Sequence, residues 1–298
     1  MKLKGTFEKL SLAKLGVIAA ALTVVMLALR FYQLTALTDP ATGFFTDHKN
    51  VTVLPFYVLA VGAVLCLAAL AWLSGGVGSG LTKEKKDIPL AVASFLFAVP
   101  LALEFISGLR KITANLGAYY QLKDAVEAMG GYISVLAPLL ALLSAVAMLL
   151  NGISFLTGKF IIPKLKILLL CPALWAFFLT IDYFKITVSY VKVSQLMLTI
   201  FADAFLMIFL FEYARLISGI GIADSIHAFY GSGLAAAFLL VSTELPNLYL
   251  QLFAPEKIVV HCQLRVFNLA AALFVIAAML YAARNGLPAG AEAPEEAA

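Results

Sequence analysis

About eight long apolar segments are the feature of this 298-residue sequence that most constrains its fold. Each approaches the roughly 20 residues that an α-helix needs to cross about 30 Å of hydrocarbon. The chain is 63% hydrophobic and only 13% charged, whereas ordinary globular domains carry about 25% charged residues. Because a water-soluble fold of this length could not bury so much apolar surface, the sequence predicts an integral membrane protein.

The segments also predict the fold class and the domain organisation. Backbone amides in lipid must pair within the structure, and the polar–apolar alternation of barrel strands is absent, so the segments are expected to be helices. The prediction is an all-α polytopic membrane helix bundle, with one transmembrane domain over residues 1–286 and a disordered tail at 287–298. Spans are expected at 12–36, 52–74, 88–109, 132–157, 165–184, 193–217, 226–247 and 264–284.

The seventh segment gives the weakest apolar signal of the set. It opens with HAFYGSG, and Glu244 and Pro246 stand at its end. Small and polar residues of this kind lower the hydropathy of a segment below that of a typical membrane helix. Whether this segment crosses the whole membrane is therefore left open by the sequence.

Lysine and arginine residues predict the orientation of the bundle. An even number of spans puts both termini on the same side of the membrane. The short loops after the second and fourth spans contain the basic stretches TKEKK and KFIIPKLK, and compact basic loops favour the cytoplasmic side. Both termini are therefore predicted to be cytoplasmic, and the opposite end of the bundle is predicted to be the outer end.

Asp203 is the ionisable residue that lies deepest in an apolar segment. An acid near the bilayer centre costs about 2.5–3.5 kcal/mol on insertion scales, so it is expected either to be protonated or to face the bundle interior and hold a partner. Among the residues three, four or seven positions away on the same helix, only Thr199 has a polar side chain that could contact Asp203. The partner is therefore expected on another helix, and Arg30 is the predicted one.

Further ionisable residues lie near the predicted outer ends of their spans, namely Arg30, Glu104, Asp182, Glu244 and Arg265. Together with Asp203 they predict an outward-facing polar pocket, in which these six residues are the candidate ligand-binding or coupling groups. His261 and Gln263 are expected at its rim. The alternative is structural, because long basic side chains reach the headgroups and interhelical polar pairs stabilise bundles. Convergence of these side chains on one site would favour the functional interpretation.

The sequence contains no pattern that indicates catalysis, a cofactor or a metal. Cys66, Cys171 and Cys262 are far apart and form no CxxC pair. The few histidines are scattered, and neither HExxH nor GxSxG occurs. No catalytic residue, cofactor or metal site is therefore predicted. The net charge of +4 is spread along the chain, so nucleic acid is not an expected partner.

Two stretches, LRFYQLTALTDPATGFF and PALWAFFLTIDYF with FADAFLMIFLFEYAR, carry a resemblance to known sequences. They resemble a family of uncharacterised multi-span membrane proteins from anaerobic Gram-positive bacteria. The resemblance covers about a third of the chain. It implies a multi-pass protein of the bacterial plasma membrane, and it brings no catalytic or binding residue with it.

Three classes of function remain open from the sequence. The first is a small-molecule or ion permease in which Asp203 acts as a coupling or ligand carboxylate. The second is a non-catalytic membrane subunit or scaffold that binds a membrane protein partner. The third is an intramembrane enzyme that acts on lipid-linked substrates, which ranks last because no converging catalytic groups are visible. In all three classes the lipid bilayer is a partner.

Overall fold

The computed structural model describes residues 12–39, 46, 52–73, 85–118, 122–128, 131–159, 165–184, 193–220, 222–257 and 265–285. The predicted tail at 287–298 and the predicted rim residues His261 and Gln263 lie outside the described residues. The structural statements below refer to the described part of the chain.

The described residues form nine α-helices and no strands. The helices are α1 Leu12–Tyr32, α2 Val53–Leu73, α3 Ile88–Ala118, α4 Leu122–Ala128, α5 Tyr132–Thr157, α6 Lys166–Phe184, α7 Val193–Ile217, α8 Ile222–Phe253 and α9 Val266–Asn285. A π-helical turn, Gln33–Leu37, continues α1, and a 3-10 turn, Pro255–Lys257, follows α8. The predicted all-α polytopic membrane helix bundle is confirmed.

Seven of the described helices are long and apolar enough to cross a membrane. The two outside this set are α4, with 7 residues, and α6, with 19 residues. α6 nevertheless occupies the fifth predicted segment, so each predicted segment contains one long helix. Two helices are longer than predicted: α3 continues to Ala118 and α8 continues to Phe253. The extension of α3 begins with Arg110 and Lys111, which suits a helix that extends beyond the hydrocarbon. The extension of α8, residues 248–253, is mostly apolar.

Contacts between helices occur at matching ends, as an up-and-down bundle requires. At one end, Ser134 of α5 donates a hydrogen bond to Asp182 of α6 over 2.9 Å. At the other end, the backbone N–H of Asp87 donates to the carbonyl of Phe155 over 3.0 Å, which joins the start of α3 to the end of α5. We call the end with Asp182 the outer end and the end with Asp87 the inner end, following the predicted orientation.

α8 is the central helix of the bundle. It packs against α1, α2, α7 and α9, and 78% of its apolar window is buried compared with 22% for α1. Small residues allow this close packing, because a side chain at Gly233 would collide with Phe209 of α7 and Met279 of α9. The weak apolar signal of the seventh segment therefore reflects a helix that faces protein on most sides.

A fully paired polar network holds α3, α5 and α7 together in the inner half of the bundle. The side-chain amide of Asn151 donates to the Ser94 hydroxyl over 2.9 Å, and the Tyr213 hydroxyl donates to Asn151 Oδ1 over 2.9 Å. All three side chains are buried. Because buried polar groups that find partners avoid a large desolvation penalty, this network stabilises one arrangement of the three helices.

Candidate functional site

Asp203 lies on the buried face of α7. Its side chain is 0% exposed and forms a continuous buried stripe with neighbours at helical spacing, namely Thr199, Leu206, Leu210 and Tyr213. Neither carboxylate oxygen accepts a hydrogen bond from any described residue. A buried carboxylate without a donor is rare, because burying an unpaired charge is very unfavourable. Asp203 therefore faces the bundle interior, and its chemistry requires a further explanation.

Glu244 of α8 is also buried, but its carboxylate is paired. Asn268 of α9 donates its side-chain amide to Glu244 Oε1 over 2.8 Å. The backbone N–H of Arg265 donates to Glu244 Oε2 over 3.1 Å. Each oxygen thus has a donor from the start of α9, so Glu244 links the outer ends of α8 and α9.

Arg265 connects Glu244 with Asp203. Arg265 and Glu244 both lie close enough to Asp203 to interact with it electrostatically. Arg265 is half-buried, whereas the two acids are buried. Three of the six candidate residues thus converge between α7, α8 and α9. We call this group the outer cluster, defined as Asp203, Glu244, Arg265 and Asn268.

Other buried polar atoms near Glu244 also lack partners among the described residues, namely both amide atoms of Asn247, the hydroxyl of Ser242 and Oδ1 of Asn268. Asn247 lies close to Glu244 but completes no hydrogen bond. Pro246 has no N–H, so it cannot donate to the carbonyl of Ser242 one turn earlier. Sequence reasoning missed Asn247 and Ser242. The i, i+3 spacing of Glu244 and Asn247 was the available signal.

The predicted pairing of Arg30 with Asp203 is wrong. Arg30 Nη1 donates to Gln33 Oε1 over 3.4 Å, and its guanidinium lies over the Phe56 ring, 5.4 Å from the ring centre. The basic residue that acts on Asp203 is Arg265. Depth along the chain could not distinguish the two arginines, because it does not define which helices are neighbours.

Arg30 nevertheless lies beside the outer part of α8. The edge of the Phe31 ring meets Tyr249 with 5.2 Å between ring centres, and Leu34 packs against Leu250. In these contacts the C-terminal part of α1 lies beside the C-terminal part of α8, so the two helices run parallel. Arg30 is therefore at about the height of Asn247 on the neighbouring helix, and its contacts with Gln33 and Phe56 lie outside the outer cluster.

Glu104 and Asp182 lie apart from the outer cluster. Glu104 is half-buried on α3, and no contact joins it to the cluster among the described residues. Asp182 is half-buried on α6 and accepts the hydrogen bond from Ser134. Of the six candidates, the structure brings together Asp203, Glu244 and Arg265, whereas Arg30, Glu104 and Asp182 lie outside this group.

Buried aromatic rings close the site toward the inner end. Phe209 lies 4.8 Å from Phe229 and 6.4 Å from Phe274 between ring centres, and Phe274 lies 5.7 Å from Phe97. All four rings are buried. At a rise of 1.5 Å per residue, Asp203 lies about 9 Å further toward the outer end than Phe209. We call these four rings the aromatic core. They separate Asp203 from the inner end.

Comparisons with known proteins identify no relative, since no protein-family model, no curated protein and no solved structure matches the chain.

The chemistry of the outer cluster is therefore inferred from its own side chains. Two carboxyl groups, one guanidinium and an amide can hold a proton, a cation or a small polar ligand with both positive and negative groups. Groups of this kind inside a membrane bundle are characteristic of ion and substrate pathways.

Proposed function

We propose that the chain is a multi-pass membrane permease for a small molecule or an ion, and that the outer cluster is its ligand or coupling site. One observation carries the proposal: Asp203 is 0% exposed and neither of its oxygens has a hydrogen-bond donor among the described residues. A group held only for stability would be expected to have a partner, as Asn151 does.

The surroundings of Asp203 support transport over a purely structural role. The polar residues of the outer cluster extend from half-buried Arg265, just before α9, to fully buried Asp203. The aromatic core separates Asp203 from the inner end. A site that is reached from one side and closed toward the other is what alternating access requires. Pro246, which weakens α8 beside Glu244, gives the helix a point at which it can bend.

The proposed ligand follows from the charges of the cluster. With Arg265 and one ionised acid the cluster is neutral, so it can accept a small cation or a zwitterion whose ammonium group meets a carboxylate. We further propose the bacterial plasma membrane as the location, on the resemblance of the two quoted stretches. The partners would then be the lipid bilayer and the transported ligand.

Thermal unfolding of the detergent-purified protein tests the proposal. The panel would contain alkali cations, amino acids, amines, sugars and organic acids, and the proteins would be the wild type, Asp203→Asn and Asp182→Asn. Asp182→Asn is the matched control, because Asp182 is a partly buried acid of the outer end that lies apart from the cluster. A ligand at a hundred times its Kd stabilises the folded state by about 2.7 kcal/mol.

The expected result is a compound that raises the unfolding midpoint of the wild type and of Asp182→Asn but not of Asp203→Asn. The same compound should then be taken up by proteoliposomes that contain the wild type. A compound that stabilises all three proteins equally binds elsewhere and contradicts the assigned site. If no compound shifts the wild type and Asp203→Asn alone unfolds at lower temperature, the carboxyl group is structural and the membrane-subunit alternative gains support.

A further inference from the structure

The two acids of the outer cluster, Glu244 and Asp203, differ in their hydrogen bonds. This difference indicates which of the two carboxyl groups can hold a proton and be neutral. Both oxygens of Glu244 accept a hydrogen bond, from Asn268 and from the backbone of Arg265. Two donors on two oxygens stabilise the ionised form of a carboxylate. Glu244 is therefore the acid of the outer cluster whose two oxygens both have hydrogen-bond donors.

A negative charge at Asp203 would have no such hydrogen-bond donors. Among the described residues, the charged groups that act on Asp203 are Arg265, which immediately precedes α9, and Glu244 of α8, and their side chains carry opposite charges when both are ionised. No described residue donates a hydrogen bond to either oxygen of Asp203. An isolated carboxylate in a low-dielectric interior takes up a proton rather than remain ionised.

We propose that Asp203 is a proton-binding site, which carries a proton in this closed arrangement and releases it to water at the outer end when α7, α8 and α9 separate there. On release, the carboxylic O–H bond breaks, the proton passes to water, and the carboxylate keeps the electron pair. Water that reaches the carboxylate then solvates its negative charge. The coupling of this exchange to ligand movement rests on the permease function proposed above.

A proton fits this site better than a metal cation. A proton needs one carboxylate oxygen, whereas a metal ion needs several oxygen ligands around it. Among the described residues, no group of three or more acidic, histidine or cysteine side chains could hold a metal ion. Glu244, the second acid of the cluster, already uses both oxygens in hydrogen bonds to α9.

Infrared spectroscopy tests the proposal without knowledge of any transported ligand. A protonated carboxylic acid has a carbonyl stretch that carboxylates lack, and this stretch shifts on exchange into D₂O. The protein would be studied at neutral pH in an alkyl maltoside, which has no ester carbonyl. The variants would be Asp203→Asn, Glu244→Gln and Asp182→Asn. Asparagine has nearly the shape of a protonated aspartate, so Asp203→Asn is expected to fold.

The expected result is a carboxylic acid band in the wild type that disappears in Asp203→Asn and persists in Glu244→Gln and Asp182→Asn. Absence of the band from the wild type, or its persistence in Asp203→Asn, overturns the proposal. A second measurement compares unfolding in sodium and potassium buffers. If sodium raises the midpoint of the wild type but not of Asp203→Asn, the carboxylate holds a metal cation and the proposal is wrong.

The two proposals fail in different ways. If the band is present and depends on Asp203, but no compound binds or is transported, the proton site stands and the permease function does not. If a ligand binds through the cluster but no protonated acid is detected, the permease function stands and the proton site does not.

Discussion

Glu244 of α8 and Asn268 of α9 are joined by a hydrogen bond of 2.8 Å between two buried side chains. This bond ties α8 to α9 at the outer end and gives Oε1 of Glu244 a hydrogen-bond donor. It therefore determines which acid of the cluster is the paired one. The unpaired acid, Asp203, becomes the group that can change its state.

Asn268→Ala is expected to destabilise the protein by about 1.5–3 kcal/mol, because it removes a donor from a buried charged acceptor. The measurement is the free energy of unfolding in detergent. Asn285→Ala is the control at the inner end of the same helix, where the amide donates to the carbonyl of Tyr281 from a half-buried position. If both variants lower the free energy of unfolding by the same amount, the hydrogen bond to Glu244 contributes no more stability than the one at the inner end.

Tyr213→Phe is expected to cost about 1–3 kcal/mol, because it leaves the buried Oδ1 of Asn151 without its donor. Tyr230→Phe is the matched control. The Tyr230 hydroxyl is buried and finds no partner among the described residues, so its removal should be neutral or stabilising. The test is strict because the same substitution is expected to destabilise the protein at Tyr213 and not at Tyr230. A loss in both variants would contradict the assigned network.

Gly108→Ala is expected to destabilise the contact of α3 with α5 by about 1–3 kcal/mol, as overpacking typically does. A Cβ atom at Gly108 would collide with the rigid ring of Pro138 on α5. Gly117→Ala on the same helix meets nothing within 4 Å, and alanine favours a helix over glycine by up to about 1 kcal/mol. The second variant should therefore unfold at the same or a higher temperature. A neutral result for Gly108→Ala would contradict the close approach.

The stability of the wild type should fall relative to Asp203→Asn as the pH rises. If folded Asp203 holds a proton that the unfolded chain has released, folding takes up one proton. The difference in unfolding free energy should then change by about 1.4 kcal/mol per pH unit while this condition holds, with the wild type losing stability toward alkaline pH. The check is a series of paired melts from acidic to alkaline buffer. Parallel curves would indicate that Asp203 is ionised in both states.

Apolar length, read along the chain, was sufficient to predict the all-helical membrane bundle, because each span satisfies its backbone within its own helix. It was also sufficient to predict that an acid as deep as Asp203 would not face lipid, since the cost of a lipid-facing charge rises toward the bilayer centre. The weak signal of the seventh segment was informative too, but its cause was not visible. Only the packed bundle identifies α8 as the central helix.

Tertiary structure decided which polar groups meet. Arg30 and Arg265 have similar predicted depths, but of these two arginines Arg265 is the one that lies near Asp203 in the described part of the chain. Asp182 shares the same end, yet its partner is Ser134. Helix periodicity defines which face a residue occupies, but the neighbour of that face depends on packing between segments far apart in sequence. The sequence by itself therefore determined the helices and the depth of their charges, whereas the arrangement of α7, α8 and α9 decided that three of those charges form one cluster.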